Sequence, residues 1–302
     1  MSAIYEEWSS ILHAKFRQDG WLKHVSFSDL IIDFFRFSRI YKNAIKRRMQ
    51  IEKKGTLYIV RIDGKTFYWP QEALLDTIAF MYYEVYFKGN NHYYDPGKMA
   101  VKKGDVVFDC GACEGFFTRK ALDAGADKVY CIEPVPALIK CLEMTFAAEI
   151  ISGRVVLWPY IIGNKNKVVK YYKDLIKPEE SRIVNPDEVG SDSLLAAETD
   201  MFSIDALCDR YSIRKIDFIK VDVEGAEVAL VQGAEKTIKT LKPSLAVAVY
   251  HNPENGNLIF EYLKALTAGY KISVTGITRM GNPIGEKRIP RPVMVRCFQN
   301  SK

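Results

Sequence analysis

The sequence predicts an α/β fold with a parallel, doubly wound sheet that follows a helical and β-hairpin cap. After residue 106, short apolar runs alternate with helical patterns, which is typical of strands joined by crossover helices. A glycine turn directly follows the first of these runs. Before it, Asp63-Gly64 separates two apolar segments, which is a strong hairpin signal. We therefore expect a cap over residues 1–95 and a main domain over 96–302.

Composition allows one large α/β domain with an extension, or two small domains. The 302 residues are 48% hydrophobic, which is enough material for a core and argues against disorder. The net charge of +6 permits an acidic partner without requiring one. The N-terminal residues do not resemble a secretory signal, and no apolar window approaches the roughly 20 residues of a membrane span. Six cysteines in mostly apolar runs then favour free thiols in the cytoplasm.

The cap is predicted to begin with helices. Residues 1–54 look helical, with Ser28 as a candidate N-cap, and they include a basic end at 42–48. That basic end is either a surface for an anionic partner or a solvated face at a helix C-terminus, and we favour the solvated face. Residues 56–70 are predicted as the hairpin, and 71–86 as a helix.

Aromatic residues cluster between the cap and the glycine turn. They could line a ligand cleft, but a seam between cap and core is the preferred interpretation. The cluster consists of Tyr82, Tyr83, Tyr86, Phe87, Tyr93 and Tyr94.

The main domain is predicted element by element from its apolar runs. A polar stretch over 165–203 interrupts the alternation and is long enough for an inserted hairpin and a loop over the site. The predicted strands are 106–109, 128–133, 154–158, 216–222, 244–250, 271–275 and 292–298. The predicted helices include 116–124, one entered at 134–136, 204–211, one that follows the segment 223–227 and ends near 233, and 258–266.

The glycine turn lets the backbone approach a nucleotide-like ligand closely. Its spacing places Asp109, Gly111 and Gly115 before a helix that begins at Phe116, and this differs from the pattern of dinucleotide folds. An acid at the strand end would repel a pyrophosphate. It suits a ligand with a cationic or hydrogen-donating part, such as S-adenosylmethionine. The alternatives are a tight turn without a ligand, or redox or zinc chemistry at the Cys-x-x-Cys spacing of residues 110–113.

Polar residues recur at the carboxyl ends of the predicted strands, where open α/β sheets bind ligands. These residues are Asp109, Glu133, Asp222 with Glu224, and His251 with Asn252. Glu133 follows Asp109 by about the ~20-residue offset at which an acid binds a ribose diol. We therefore expect Glu133 to accept both ribose hydroxyl protons.

Three segments resemble the FkbM family of S-adenosylmethionine-dependent methyltransferases. They are Phe108-Asp-Cys-Gly-Ala-Cys-Glu-Gly-Phe-Phe-Thr118, Ile132-Glu-Pro134 and the run from Ile216 to Glu227, whose Lys-x-Asp-x-Glu-Gly-x-Glu is the most specific part. The resemblance covers about residues 90 to 300 and does not include the cap. Cys113 stands where the family usually has Asn, and Tyr250-His251 stands where an acid is more usual. The second departure leaves the family's catalytic role at that strand end in doubt.

This resemblance implies a class I methyltransferase sheet of seven strands with a final antiparallel strand. It implies S-adenosyl-L-methionine as cofactor, with S-adenosyl-L-homocysteine as product. The acceptor would be a hydroxyl on a sugar, glycan or secondary metabolite. The expected cofactor-binding residues are Asp109, Gly111, Ala112, Gly115, Phe116, Glu133, Pro134, Ile161, Ile162 and Asp222.

Methylation of a hydroxyl needs alignment and a base. The candidates are Asp222, His251 and Glu224, of which His251 has the better intrinsic pKa and Glu224 could instead orient its loop through backbone N–H groups. Asp222, His251 and Asn252 could also hold a divalent metal. We prefer metal-free chemistry and expect no metal ligands.

Two other functions compete with O-methylation. A nucleic-acid methyltransferase or binding module would use the basic helix at residues 42–48. Against it, strand 216–222 leads into Asp-Val-Glu-Gly rather than the Asn/Asp-Pro-Pro-aromatic run that stacks a flipped base. The other competing function is a nicotinamide-dependent oxidoreductase, but the sequence lacks the glycine fingerprint that such an enzyme carries. We therefore expect a small-molecule or glycan acceptor; the oligomeric state is left open.

Overall fold

A computed structural model describes residues 11–12, 15, 22, 24–30, 38–172, 174, 176–183, 196–278 and 291–299. Most of the helical prediction for residues 1–37 lies outside these ranges. So does the centre of the inserted polar stretch, residues 184–195.

A seven-stranded sheet forms the centre of the molecule, as the sequence predicts. Its strands are β4 (Val106–Cys110), β5 (Lys128–Ile132), β6 (Val155–Trp158), β11 (Phe218–Val221), β12 (Ser244–Ala248), β13 (Tyr270–Thr278) and β14 (Arg291–Gln299). Their order in the sheet is β13-β14-β12-β11-β4-β5-β6, and β14 runs antiparallel to both of its neighbours while the other pairs are parallel.

These strands form because their apolar residues are buried on both faces of the sheet. In β4, Val107 and Phe108 are fully buried, and one joins the core on each side. Crossover helices cover the two faces and return the chain to the start of each next strand. The helices that flank the sheet are α3 (Phe116–Asp123), α4 (Pro136–Thr145), α5 (Ala147–Ile151), α6 (Ile204–Arg210), α7 (Glu227–Gln232), α8 (Glu235–Leu241) and α9 (Asn255–Leu266).

The cap is a helix pair with a three-stranded antiparallel sheet. Its elements are α1 (Ser38–Arg48), β1 (Gln50–Lys54), β2 (Leu57–Ile62), β3 (Lys65–Pro70) and α2 (Ile78–Tyr86). The predicted hairpin is confirmed, because β2 pairs with β3 and the turn residues Asp63 and Gly64 have φ of 48° and 76°.

Three details of the cap prediction are wrong. Residues 50–54 form a strand rather than a helix, since β1 pairs along the exposed edge of the hairpin. Residues 27–30 are helical, so Ser28 lies inside the helix, and the hydroxyl of Ser26 accepts the N–H of Asp29 instead. The helix expected over 71–86 begins only at Ile78.

The inserted polar stretch contains the predicted hairpin, which belongs to a second sheet. Strands β8 (Lys167–Tyr172) and β10 (Ala196–Phe202) are antiparallel, and β7 (Ile161–Ile162) and β9 (Arg182–Ile183) flank them in the order β7-β10-β8-β9. This sheet projects from the carboxyl end of β6, on the side where ligands bind in such folds.

Cap and main sheet share one hydrophobic core. Phe67 of β3 packs edge-on against Phe116 of α3, with ring centroids 4.6 Å apart. Trp69 is also buried in this seam. The division at residue 95 remains a prediction. Within the described ranges, no helix is both long and apolar enough to cross a membrane.

Candidate active site

The glycine turn after β4 packs closely against the loop after β11. Gly111 has φ of 75°, and a Cβ there would lie 1.8 Å from the carbonyl oxygen of Asp222. A Cβ on Gly115, at φ of 82°, would lie 2.5 Å from the ring of Phe146. The two glycines are therefore required by contacts within the protein, and only Gly111 also borders the cavity described below.

Asp109 forms a buried ion pair behind the glycine turn. One carboxylate oxygen lies 3.2 Å from Nζ of Lys220, and the other accepts the hydroxyl of Thr118 at 2.7 Å. Lys220 also donates to the carbonyl of Gly111. Burial lowers the pKa of Lys220, but Asp109 and Asp222 outweigh it and the net pKa is raised. Asp109 thus holds Lys220 and the turn, and its side chain does not face the cavity.

A cavity opens at the carboxyl ends of β4, β5 and β11. Six of the predicted cofactor residues line it, and Asp109, Ala112, Gly115 and Phe116 do not. The six are Gly111, Glu133, Pro134, Ile161, Ile162 and Asp222. The inserted sheet and its connections supply further walls: Tyr171, Pro178, Glu179, Ser181 and Ile183.

Glu133 stands at the end of β5 with its carboxylate held by backbone groups. Its two oxygens accept the N–H of Cys113 at 3.0 Å and of Val135 at 2.9 Å. Burial raises its pKa to about 7, against the opposing effect of these hydrogen bonds. Each oxygen keeps a second lone pair, so the geometry is compatible with the predicted contact to a ribose diol.

Asp222 lies at the opposite wall and is bonded to the cap. Its Oδ2 accepts the hydroxyl of Tyr94 at 2.5 Å, and Nε2 of the buried His92 is 3.9 Å from the same oxygen. Burial raises the pKa of Asp222, but the positive charges of Lys220 and His251 outweigh it, and the net pKa is lowered. The cap therefore contributes Tyr94 to this cluster. The aromatic residues Tyr82 and Tyr83 are buried in the seam.

His251 is held between two carboxylates. Its Nδ1 is 2.7 Å from Glu227, and its Nε2 is 3.0 Å from Glu224 and 3.6 Å from Asp222. Burial lowers the pKa of His251, but Glu227 and Glu224 reverse this and raise it well above the ordinary value. The imidazole is therefore charged in this arrangement, which removes the lone pair that a general base needs.

The loop after β11 is organised by Glu227 rather than by Glu224. The carboxylate of Glu227 accepts the N–H of Gly225 at 3.0 Å and the side-chain amide of Asn255 at 2.8 Å. Glu224 has φ of 49° and turns towards the cavity. Burial raises the pKa of Glu224, against the lowering effect of His251. A side chain in this uncommon backbone region is typical of a functional loop.

One set of ligand atoms in the described part of the chain could hold a divalent cation. Single atoms of Asp222, Glu224 and His251 lie within 4.8 Å of one another. The predicted alternative included Asn252, whose side chain instead accepts the N–H of Glu254. Glu224 takes its place in this cluster.

The loop that carries His92 and Tyr94 is fixed from the last strand. Arg296 of β14 donates to the carbonyl oxygens of Asn91 at 2.8 Å and of Tyr93 at 2.5 Å. A Cβ on Gly276 would lie 2.6 Å from the Cβ of Asn91, so only glycine lets this loop approach β13. Arg296 thereby positions Tyr94 against Asp222.

The two cysteines of the glycine turn have the properties of buried structural thiols, and the basic helix pairs with acids of the cap. Cys110 and Cys113 are free thiols whose pKa values are raised, mainly by burial. At the end of α1, Lys46 pairs with Asp76 and Arg48 with Asp63. These local ion pairs agree with the solvated-face interpretation of the basic end.

Comparison of the sequence with models of known protein families identifies the family of this chain. A family model for the methyltransferase FkbM domain matches residues 109–272, which is more than half of the chain. This chain belongs to the FkbM methyltransferase family. No curated protein matches it significantly.

Solved structures give the FkbM chain the fold of class I methyltransferases. Methyltransferase FkbM from Methylobacillus flagellatus is 15% identical, with 98% of this chain covered, 60% of that protein covered and a TM-score of 0.53. This chain therefore spans less than two thirds of that protein's length. Trm5b from Pyrococcus abyssi is 15% identical over 83% of this chain and 62% of its own, with a TM-score of 0.43. An rRNA methylase from Streptococcus thermophilus is 14% identical over 67% and 90%, with a TM-score of 0.37. At these identities the first likeness supports the fold alone, and the other two support no argument.

Sequence reasoning missed three residues of this FkbM site. The sequence marks Tyr94 only as one of a group of aromatic residues and Glu227 only as part of the family motif, and it contains no signal for His92. The one available signal was the position of Glu227 in the family motif, three residues after Glu224. The contacts of His92 and Tyr94 with Asp222 join distant parts of the chain and leave no local signal.

Proposed function

We propose that this FkbM methyltransferase transfers a methyl group from S-adenosylmethionine to a hydroxyl of a sugar, glycan or secondary metabolite. One observation carries the proposal: a single cavity has Glu133 at one wall and the carboxylates of Asp222 and Glu224 at another. The first wall suits a nucleoside, and the second suits a group that must lose a proton during transfer.

The residues of the cavity fit the cofactor. Gly111 lets the backbone approach the ligand, and Glu133 offers acceptor lone pairs to ribose hydroxyls. Ile161 and Ile162 provide apolar surface beside them. S-adenosylmethionine would supply an electrophilic methyl on its sulfonium. The protein would align the acceptor in line with that methyl and exclude water.

Glu224 is the proposed proton acceptor. It lines the cavity, and burial raises its pKa towards the working range of a base. Asp222, with its lowered pKa and its bond from Tyr94, would orient the acceptor hydroxyl. His251, charged between Glu224 and Glu227, would neutralise part of the negative charge. In this proposal His251 is not the base.

The charge of the cavity favours a neutral acceptor over a nucleic acid. Four acidic residues line it, namely Glu133, Glu179, Asp222 and Glu224. Phosphate groups would be repelled by these carboxylates. The basic end of α1 has its Lys46 and Arg48 paired with acids of the cap. A nucleic acid remains the alternative, and a gel shift at moderate salt with no shifted band would remove it.

The cofactor assignment is tested by calorimetry with S-adenosylhomocysteine. Glu133→Ala is expected to reduce affinity by at least about tenfold, because hydrogen bonds to a charged acceptor are strong. Glu180→Ala, at an exposed carboxylate near the same cavity, is the matched control and should bind normally. Unchanged affinity in the Glu133 variant would count against the assigned pocket.

The reaction is tested by a screen for methyl transfer to hydroxylated acceptors. Glu224→Gln should abolish most of the transfer while leaving the affinity for S-adenosylhomocysteine intact, because it removes only the proton acceptor. Glu198→Gln changes an exposed acid of β10 and serves as control. If Glu224→Gln transfers methyl at the normal rate, Glu224 is not the base.

Metal-free chemistry is part of the proposal, and chelation tests it. Because a charged His251 already lies between the carboxylates, we expect methyl transfer to persist in excess EDTA. Loss of activity on chelation, with recovery on adding Mg²⁺ or Mn²⁺, would instead assign Asp222, Glu224 and His251 as metal ligands.

A further inference from the structure

One carboxylate oxygen in the cavity has no hydrogen-bond partner among the residues that the structure describes. Glu179 lines the cavity, and its Oε2 is buried without a hydrogen bond. A buried acceptor without a donor costs free energy, so such an atom calls for an explanation. Burial also raises the pKa of this carboxyl group.

The segment that carries Glu179 is firmly held. Asp174 accepts the N–H groups of Ile176 and Lys177 at 2.8 Å each, and Ser181 accepts the N–H of Asp174. The carbonyl of Ile176 in turn accepts the N–H of Leu74 in the cap at 2.8 Å. Glu179 sits in a short 3₁₀ helix, Pro178–Glu180, whose position these hydrogen bonds fix. Its orientation towards the cavity is therefore a built feature of the fold.

The neighbours of Glu179 place it at the nucleoside part of the cavity. The negative charge of Glu179 contributes to the raised pKa of the Cys113 thiol, and the backbone N–H of Cys113 donates to Glu133. Tyr171 of the same inserted sheet donates to the carbonyl of Pro134, directly after Glu133. These contacts put the described part of the inserted stretch beside Glu133.

We infer that Glu179 accepts a hydrogen bond from the exocyclic amine of the adenine ring. The inference rests on the proposed cofactor. Two hydrogen-bond donors of S-adenosylmethionine remain once its ribose lies at Glu133: the α-ammonium and the exocyclic amine. The α-ammonium belongs to the methionine chain on the sulfonium, at the reacting end near Asp222 and Glu224, so the amine is the donor left for Glu179. Glu179 thus makes the site specific for an adenine over a base that presents a carbonyl, which the carboxylate would repel.

The inference is tested by calorimetry with two ligands, S-adenosylhomocysteine and S-inosylhomocysteine, which has a carbonyl in place of the amine. The wild-type protein should prefer the adenosine compound by roughly 10- to 100-fold, as expected for a hydrogen bond to a charged acceptor. In Glu179→Ala this preference should fall to near one. Glu180→Ala, one residue along the same turn, should keep it.

The outcomes separate this inference from the proposed function. If wild-type protein binds S-adenosylhomocysteine and Glu179→Ala keeps the preference, Glu179 does not contact the amine and the inference fails. If wild-type protein binds neither compound, the proposed function fails. Thermal unfolding checks that Glu179→Ala is folded; if it is not, Glu179→Gln replaces it, and its weaker neutral acceptor should lower the preference to a few-fold.

Discussion

The hydroxyl of Tyr94 donates a 2.5 Å hydrogen bond to Asp222 across 128 residues of sequence. Tyr94 lies at the end of the cap, before β4, whereas Asp222 follows β11 at the centre of the sheet. The bond places a donor from outside the family match on the most specific part of the family motif. It makes the segment before β4 part of the site.

Tyr94→Phe should destabilise the protein by about 1.5–3 kcal/mol, the range for a hydrogen bond to a charged partner. The phenol ring is retained, so its packing on Phe117 is kept. Urea unfolding measures the loss. Tyr262→Phe is the control, because its hydroxyl also donates to a carboxylate, the exposed Glu235, and should cost less. Equal losses of unfolding free energy in the two variants would mean that the hydrogen bond from Tyr94 to Asp222 contributes no more than an exposed one.

The lowered pKa of His92 predicts that the protein loses stability in acid. Burial lowers its pKa to about 4, so the unfolded chain binds this proton near pH 6.5 and the folded protein does not. Stability attributable to His92 should therefore fall as the pH drops from 6.5 to 4, by about 3 kcal/mol. His92→Phe retains a ring beside Tyr94 and should flatten this part of the pH profile. A variant with the wild-type slope would show that His92 titrates normally.

His251 predicts the opposite pH dependence. Its pKa is raised by Glu227 and Glu224, so its contribution is fully present below pH 6.5 and is lost as the pH rises through the folded value. The stability difference between wild type and His251→Gln should thus be largest near pH 6 and shrink towards pH 9. Chemical denaturation across this range measures it. A difference that grows with pH would mean that His251 is neutral in the folded protein.

Gly111→Ala should be among the most damaging substitutions in the chain. Its Cβ would overlap the Asp222 backbone, which cannot move without shifting the β11 loop, so a loss above about 4 kcal/mol is expected. Gly225→Ala is the matched control in that same loop. It also has a positive φ, of +103°, but has open space around it, and backbone strain alone should cost about 1–2 kcal/mol. The comparison, by urea unfolding, isolates the steric contact.

Lys220→Met should cost about 3–5 kcal/mol, because it leaves the fully buried Asp109 without its cation. Lys239→Met removes a cation from an exposed pair with Glu235 and should change stability by less than about 1 kcal/mol. Thermal unfolding at pH 7 distinguishes the two. A loss below about 1 kcal/mol in Lys220→Met would contradict the role of Lys220 as the counterion that stabilises buried Asp109.

The central sheet could be predicted because its strands are buried on both faces and therefore read as continuous apolar runs. Strand β1 could not be predicted in this way. All five of its residues, from Gln50 to Lys54, are exposed, so no alternation marks it, and it forms by pairing with β2. Helix α8 was missed for a related reason: only Thr237 and Ile238 of its residues are buried.

The site could be predicted where one strand end determines it. Glu133 and Asp222 follow buried strands, and both line the cavity as expected. The partners of such residues depend on packing between distant segments. Asp109 looked like a ligand contact because nothing local in the sequence shows that Lys220, on the neighbouring strand, pairs with it.

The clamp of Arg296 on Asn91 and Tyr93 has a consequence for how the protein is made. During synthesis the cavity wall around Gly111 and Glu133 leaves the ribosome long before β14 does. The segment that brings Tyr94 to Asp222 is secured only when Arg296 has emerged, some two hundred residues after Tyr94. In a nascent chain this clamp can therefore form only after the other six strands of the central sheet have been synthesised.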